Sequence, residues 1–200
     1  MDNLDRSIFE VLGPIMIGPS SSHTAGAVKI GNISASIAGK GFDHVIFHLH
    51  GSFSETYRGH GTDKALTAGV LGFPPSDERI RDAFFYAEKA GLQIEFRHIQ
   101  LDNVHENTVM IEFFRNGKKL CDVTGSSIGG GNIEITRIDS FEVCVSGNNP
   151  TLIIRQNDKK GVVSDIAAVL ADNDINIGTM VLSRTAKGGI ATTVIETDSL

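Results

Sequence analysis

The residues best suited to chemistry lie near the amino terminus, where the segment Gly18 to Thr24 reads Gly-Pro-Ser-Ser-Ser-His-Thr ahead of a helical pattern. The amino terminus of a helix has free N–H groups and carries the positive end of the helix dipole, so it can bind a carboxylate or a phosphate. The dipole also disfavours a cation on His23, and a neutral imidazole can take a proton. Ser22 and Thr24 could orient a substrate. The alternative is an ordinary helix cap, because serine, threonine and proline gather at helix starts for structural reasons.

Three further histidines fall on one face of a predicted strand: His44, His48 and His50. Two of them have H-x-H spacing, which could make a metal site with His60 as a further ligand. The other interpretation is the polar face of an antiparallel strand. It is favoured because the one carboxylate of the segment, Asp43, points to the opposite face.

The segment Gly59–Lys64 (Gly-His-Gly-Thr-Asp-Lys) begins like a dinucleotide-binding loop. Lys64 stands where the third glycine belongs, and no clean strand ends just before the segment. The pattern therefore disfavours dinucleotide binding. It still allows a loop that brings His60 and Lys64 to an acidic ligand.

Two more polar loops are predicted between strands, over His105–Thr108 and Gly125–Gly131. The second could form a nest of backbone amides that binds an anion. Its glycines could equally do no more than turn the chain, and both interpretations stay open. The sequence contains no Walker loop or HExxH motif, so a nucleoside triphosphatase and a zinc protease are poorly supported.

The elements that must position these residues alternate between helical and strand patterns, which predicts an α+β fold with a mixed sheet. Asn116-Gly117 is typical of a tight hairpin turn. Before Gly147 the predicted elements are helices over Ser7–Leu12, Ala25–Ala38, Thr62–Leu71 and from a Ser76 cap to Gly91, a half-buried strand over Val45–Leu49, and strands over Leu92–Ile99, Thr108–Arg115, Lys119–Thr124, Asn132–Ile138 and Phe141–Val145.

A run of turn-forming residues, Gly147-Asn148-Asn149-Pro150, separates two apolar segments and predicts a domain boundary. We expect one domain over residues 1–147 and a second over residues 148–200. The second domain reads strand, helix, strand, strand, which is most of a ferredoxin-like βαββαβ unit. The remaining helix and strand would have to come from a longer chain or from another chain. The predicted strands are Thr151–Gln156, Ile175–Ser183 and Ile190–Thr197. The predicted helix is Val162–Ala171, with Val162, Ile166, Val169 and Leu170 on its inward face.

The composition excludes several classes of protein. With 40% hydrophobic and 21% charged residues, the 200-residue chain is too apolar to be disordered. Its two cysteines cannot build a disulfide framework, nor hold alone an iron–sulfur cluster, which usually takes four thiolates. A net charge of −6 without long basic runs argues against nucleic-acid binding, and no apolar stretch approaches the roughly 20 residues of a membrane span. We expect a soluble, cytoplasmic protein with small-molecule ligands.

The first domain resembles the beta chain of bacterial iron–sulfur-dependent L-serine dehydratase. The resemblance is carried by the segment Gly13 to Gly26, the loops Gly59–Lys64 and His105–Thr108, and the turn Ser127–Gly131, which occur in this order. The second domain, with Arg155 to Val163 entering its helix, resembles an ACT domain, an amino-acid-sensing module.

The resemblance implies a mechanism. In the family, cysteines of a partner alpha chain or a fused second half hold a [4Fe-4S] cluster, and one iron acts as a Lewis acid on the serine hydroxyl. A base removes the α-proton, and loss of water leads to pyruvate and ammonia. The resemblance implies that Ser22, His23 and Thr24 belong to the active site, with His23 as the base.

Other residues are implied to bind the substrate or an allosteric ligand. The first domain is similar to the allosteric substrate-binding domain of some phosphoglycerate dehydrogenases, in which His105 and Asn107 would correspond to carboxylate ligands. The further candidates are Ser20, Ser21, His60, Lys64 and Thr108 in the first domain, and Asn157, Asp158 and Gly161 in the ACT ligand loop.

Two functional hypotheses are consistent with the sequence. In the first, the chain is the non-cluster subunit of an L-serine ammonia-lyase and binds an alpha subunit and L-serine. ACT ligands bind between paired modules, so a homodimer or a heterotetramer is expected. In the second, the chain is a free-standing amino-acid-binding regulator without a catalytic role.

Overall fold

The computed structural model describes residues 14–198. The helix predicted over Ser7–Leu12 lies outside the described residues. The chain divides into two compact units between Glu134 and Ile135. The domain boundary predicted between residues 147 and 148 stays a prediction. No helix among residues 14–198 is long and apolar enough to cross a membrane.

Within the described residues, the first unit contains a π-helical turn followed by helices and strands. Its elements are the π-helical turn Ser21–Gly26, α1 Ala27–Ala38, β1 His44–Leu49, α2 Gly51–His60, α3 Thr62–Val70, a 3₁₀ turn Glu78–Asp82, α4 Ala83–Lys89, β2 Gln93–His98, β3 Thr108–Arg115 and β4 Lys118–Gly129. β5 Asn132–Ile138 spans the boundary between the units, and β6 Phe141–Val145 belongs to the second unit.

The strands form a six-stranded mixed sheet in the order β2-β1-β3-β4-β5-β6, which confirms the predicted α+β class. β1 pairs in parallel with β2, whereas the β1–β3 and β3–β4 pairs are antiparallel. The hairpin turn between β3 and β4 falls at Asn116-Gly117 as predicted, and both residues have a positive φ, 50° and 74°.

β1 is more deeply buried than the half-buried strand that was predicted. Val45, Phe47 and Leu49 are buried as expected, but Ile46, on the other face, is also only 4% exposed. β1 is an internal strand of the sheet, with a hydrogen-bonded neighbour on each edge, β2 and β3.

Helices α1 and α3 approach each other closely through two glycines, Gly31 and Gly69. A Cβ atom at Gly31 would lie 2.8 Å from the carbonyl oxygen of Leu66 and 3.0 Å from Cα of Gly69. These neighbours are backbone atoms, so the helices touch backbone to backbone at this point.

One prediction about the helices of this unit was wrong, and one helix was not predicted. The helix expected from a Ser76 cap starts instead at Asp77, whose carboxylate accepts the Arg79 N–H at 2.9 Å, and it runs through the 3₁₀ turn before α4. Aspartate is the better cap here because its side chain reaches a free N–H two residues on. Helix α2 was not predicted at all, because Phe53 is its one buried side chain and the hydrophobic pattern is weak.

The second unit contains β7 Thr151–Asn157, α5 Val162–Asp172, β8 Ile177–Arg184 and β9 Ile190–Thr197. The three strands form an antiparallel sheet in the order β7-β9-β8, as the predicted βαββ pattern requires. On α5, Leu170 is buried, but Val169 is 61% exposed and does not point inward as predicted. The helix therefore covers the sheet with a narrower apolar stripe than expected.

Candidate functional site

His23 lies in the π-helical turn and is only 8% exposed. Ser20 caps this turn: its extended backbone precedes the helix, and its Oγ accepts the His23 N–H at 3.3 Å. The Ser20 carbonyl accepts the Thr24 N–H at 2.8 Å. The cap alternative is therefore correct for Ser20, but the cap also fixes the backbone that carries a buried imidazole. A π-helical turn widens the helix at this point, a distortion common at functional sites.

Helix α2 supplies the surroundings of the His23 ring. The Nε2 atom lies 3.1 Å from Oγ1 of Thr56 and 3.3 Å from Oγ of Ser52. Phe53, which is fully buried, meets the ring edge to face with centroids 5.2 Å apart. On the other side, Nδ1 lies 3.4 Å from Oγ of Ser20. The imidazole thus sits between one aromatic wall and three hydroxyl groups.

A second imidazole joins this cluster from the last turn of α2. The rings of His60 and His23 lie with centroids 4.7 Å apart, and Nδ1 of His60 is 3.1 Å from the same Thr56 Oγ1. His60 is exposed, whereas His23 is buried. The hydroxyl of Thr56 therefore connects a buried imidazole to an exposed one.

Burial lowers the pKa of His23 below its ordinary value of 6.5, and the nearby His60 lowers it further by charge repulsion. A hydrogen bond with the backbone of Ser52 opposes these effects in part. His23 is accordingly neutral at neutral pH and can accept a proton, as the sequence analysis expected on the ground of the helix dipole. The dominant physical cause is burial.

The remaining polar residues of the predicted cluster are distributed around the turn. Ser21 and Ser22 are half-buried in its first two positions. Thr24 is 2% exposed, and its Oγ1 has no hydrogen-bond partner among the described residues. Lys64 is exposed on α3, and among the described contacts its backbone N–H donates to Oδ1 of Asp63 at 2.8 Å. The structure therefore brings His60, but not the Lys64 side chain, to His23.

The predicted loop over His105–Thr108 is bound tightly to β4. Thr108 begins β3, and its hydroxyl donates to the carbonyl of His105 at 2.6 Å and contacts Oγ of Ser126 at 2.7 Å. The Ser127 N–H donates to the carbonyl of Asn107 at 2.9 Å, and Nδ1 of His105 accepts the Asn107 N–H at 3.0 Å. These contacts hold the loop in one shape and leave the His105 side chain exposed.

The expected loop over Gly125–Gly131 is largely a strand. β4 continues to Gly129, because Gly125 and Ser126 pair in register with β3. The turn is confined to Gly129, Gly130 and Gly131, which all have a positive φ. Of the two open interpretations, the structure supports glycines that turn the chain.

The His105 loop adjoins the start of α2. A Cβ atom at Gly51 would lie 2.6 Å from the Glu106 carbonyl oxygen, and Gly51 has a φ of +51°. The residue after Gly51 is Ser52, one of the hydroxyls around His23. The loop and the histidine cluster are therefore neighbours, joined through the first turn of α2.

The strand histidines are engaged in ordinary polar contacts. Nε2 of His44 lies 3.0 Å from Glu95, and Nε2 of His48 lies 2.8 Å from Glu112, carboxylates that come from the neighbouring strands. His50 accepts the Leu101 N–H at 3.2 Å. Within residues 14–198, no group of three His, Cys, Asp or Glu side chains is placed to hold a metal ion.

In the second unit, the predicted ligand loop Asn157–Gly161 is held by hydrogen bonds of Asp158. The carboxylate of Asp158 accepts hydrogen bonds from Arg184 at 2.6 Å and from the Gly188 N–H at 3.0 Å, and these partners lower its pKa, the Gly188 amide most. Asn157 ends β7, and Gly161 precedes α5 with a φ of +93°. Asp158 thus ties this loop to the β8–β9 turn.

Two site residues escaped the sequence analysis, Ser52 and Thr56. With His60 they are spaced four residues apart, which places them on one face of a helix. That spacing would have indicated them had a helix been recognised over this segment.

Comparison with known proteins identifies relatives of this chain. The model of the serine dehydratase beta chain family matches residues 7–84, and the ACT domain model matches residues 150–200. The chain is 47% identical to the "Probable L-serine dehydratase, beta chain" of Bacillus subtilis (strain 168), with 96% of this chain and 87% of the relative covered.

Two further relatives extend the comparison. The "L-serine dehydratase, beta chain" of Peptoniphilus asaccharolyticus is 43% identical over 97% of this chain and 88% of its own length. The D-3-phosphoglycerate dehydrogenase of Bacillus subtilis is 25% identical over 86% of this chain but only 33% of its own length. Residues 7–84, which the serine dehydratase beta chain model matches, contain His23, Ser52, Thr56 and His60. The chain therefore belongs to the serine dehydratase beta chain family and carries an ACT domain over residues 150–200.

Proposed function

We propose that this chain is the non-cluster subunit of an L-serine ammonia-lyase, which converts L-serine to pyruvate and ammonia. The observation that carries the proposal is a buried, neutral imidazole held among hydroxyl groups in a chain similar to L-serine dehydratase beta chains over nearly its full length. An α-proton next to a carboxylate is weakly acidic, so its removal needs a base in a water-poor site.

His23 is proposed as that base. Its lowered pKa keeps it unprotonated at neutral pH, and the cap at Ser20 and the helix α2 hydroxyls fix its ring. Ser22 and Thr24 flank it in the same turn, and the buried Thr24 Oγ1 has no partner among the described residues. We assign to these two hydroxyls the orientation of the serine substrate.

The cluster is proposed to reside on a partner alpha subunit. A [4Fe-4S] cluster usually takes four thiolates, whereas this chain has two cysteines, one buried at Cys121 and one exposed at Cys144. The residues described here therefore do not fit the cluster. The relatives' designation as beta chains supports a separate partner, and a homodimer or a heterotetramer is the proposed assembly.

For the first unit, His105 and Asn107 are proposed as substrate or allosteric carboxylate ligands, since their loop lies next to the first turn of α2. Thr108, through its hydrogen bonds, shapes this loop. In the ACT domain, Asn157 and Gly161 are proposed to line the ligand loop. The carboxylate of Asp158 is already occupied by Arg184 and Gly188, so its proposed contribution is to shape the loop.

The test is pyruvate release from L-serine under anaerobic conditions, with the chain alone and with a cluster-bearing partner chain. We expect turnover only with the partner, and a fall of roughly 10²- to 10⁴-fold in kcat for His23→Ala, the usual contribution of a general base. His44→Ala is the matched control, because this histidine contacts Glu95 on the sheet.

Normal turnover of the His23→Ala enzyme would reject the base assignment. The rival reading, a free-standing amino-acid-binding regulator, predicts saturable binding of L-serine to the isolated chain and no turnover with any partner. Calorimetry on the isolated chain, together with the turnover assay, distinguishes the two.

A further inference from the structure

The hydroxyl group of Thr56 makes three hydrogen-bond contacts, and their directions are fixed by counting protons. Oγ1 lies 2.8 Å from the carbonyl oxygen of Ser52, 3.1 Å from Nε2 of His23 and 3.1 Å from Nδ1 of His60. A carbonyl oxygen can only accept, so the single hydroxyl proton is donated to Ser52. The two remaining contacts must then be accepted by the hydroxyl oxygen, which has two lone pairs.

Both imidazoles are consequently donors to Thr56. His23 carries a proton on Nε2, and His60 carries one on Nδ1. In a neutral imidazole only one nitrogen is protonated, so the lone pair of His23 lies on Nδ1 and that of His60 on Nε2.

We infer that Thr56 is a positioning residue that fixes the tautomers of both histidines, so that His23 accepts a proton at Nδ1, on the side of Ser20. This inference rests on the proposed function for its role in catalysis, but not for the tautomers themselves. The geometry assigns the reactive face of His23 to the Ser20 side, where Oγ is 3.4 Å from Nδ1.

The arrangement lets a proton enter and leave without movement of either ring. When Nδ1 of His23 takes the α-proton, the C–H electron pair stays on the substrate, and the ring becomes an imidazolium that still donates its Nε2 proton to Thr56. The same holds for His60 when it is protonated at Nε2. With centroids 4.7 Å apart, the two rings repel each other when both are charged, which favours a single positive charge on the pair.

The titratable group in this cluster whose charge affects the pKa of His23 is His60, on α2. The contacts given for the ring from α2 are otherwise to hydroxyls and to Phe53, and the contact from its own turn is to Ser20. The tautomers therefore follow from hydrogen bonding rather than from a neighbouring carboxylate.

The tautomers can be read directly from long-range ¹H–¹⁵N correlation spectra of the imidazole rings in the full chain, at a pH at which both rings are neutral. The wild type is expected to show a protonated Nε2 on His23 and a protonated Nδ1 on His60. In Thr56→Val, which keeps the shape and loses the hydroxyl, His60 is expected to revert mainly to the Nε2–H form. Thr56→Ser is the matched control and is expected to keep the wild-type pattern.

A wild-type spectrum with His60 protonated on Nε2 would overturn the inference, and this measurement needs no variant. Unchanged His60 tautomers in Thr56→Val would overturn it as well. In the assembled enzyme, Thr56→Val is expected to lower kcat at least 10-fold with KM nearly unchanged, and Thr56→Ser to restore kcat. Wild-type tautomers as stated combined with full turnover of His23→Ala would reject His23 as the catalytic base but keep the tautomer assignment.

Discussion

Replacing Gly31 by alanine tests the backbone contact between α1 and α3, the helices that follow His23 and His60 in the chain. The added Cβ would lie 2.8 Å from the Leu66 carbonyl oxygen, 3.0 Å from Cα of Gly69 and 3.1 Å from its carbonyl carbon. Side chains can rotate away from such a clash, but these are backbone atoms of a packed helix. The two helices must therefore move apart.

The expected cost follows from two opposing effects. Overpacking a well-packed core typically costs about 1–3 kcal/mol, and a clash with backbone belongs at the upper end, about 3 kcal/mol. Alanine is better than glycine in a helix by about 1 kcal/mol. The net destabilisation of the first unit is then about 2 kcal/mol.

Urea unfolding followed by tyrosine fluorescence measures this unit selectively. The chain has no tryptophan, and its two tyrosines, Tyr57 and Tyr86, both belong to the first unit. Gly59→Ala is the matched control: Gly59 lies in α2, and a Cβ there has nothing within 4 Å. It is expected to stabilise the unit by up to about 1 kcal/mol. A Gly31→Ala chain as stable as the wild type would refute the packing argument.

Three further predictions concern the site and the adjoining loop. The pKa of His23 is lower in the folded chain than in the unfolded chain, so as the pH falls the unfolded chain binds a proton at His23 first. The contribution of His23 to the free energy of unfolding is therefore present above pH 6.5 and is lost as the pH falls from there through the folded pKa. His60→Gln is expected to raise the pKa of His23, still below 6.5 because burial remains, and an unchanged or lower value in an NMR titration would contradict this. Thr108→Val leaves the buried Ser126 hydroxyl without its partner and is expected to cost about 1–3 kcal/mol in the tyrosine assay. The double variant with Ser126→Ala is expected to recover most of this loss, and a double variant less stable than Thr108→Val would contradict the pairing.

The parts of the fold that could be predicted are those fixed by local sequence. Asn116-Gly117 accepts positive φ at both positions, so the β3–β4 hairpin follows from two residues. The βαββ order of the second unit follows from apolar periodicity. His23 could be singled out because it stands in a dense run of polar residues before a helix.

The surroundings of His23 could not be predicted, because they depend on tertiary contacts. Helix α2 contains two glycines and one buried side chain, and it begins at Gly51, whose positive φ lies against the Glu106 loop. Without that helix, the one-face spacing of Ser52, Thr56 and His60 is invisible. The carboxylate partners of the strand histidines were missed for the same reason, since strand pairing brings them from distant parts of the chain.

The place of β1 inside the sheet has a consequence for how the chain is made. Translation produces this apolar strand before β2 and β3, the strands that flank it, so it leaves the ribosome unpaired and stays so until they follow. The turn that holds His23 waits longer still, because Gly26 packs against Ser127 in β4. The turn Ser21–Gly26 is thus held in place by a strand that is synthesised about a hundred residues later. A nascent chain that ended before β4 would contain both histidines of the cluster but not the strand against which Gly26 packs.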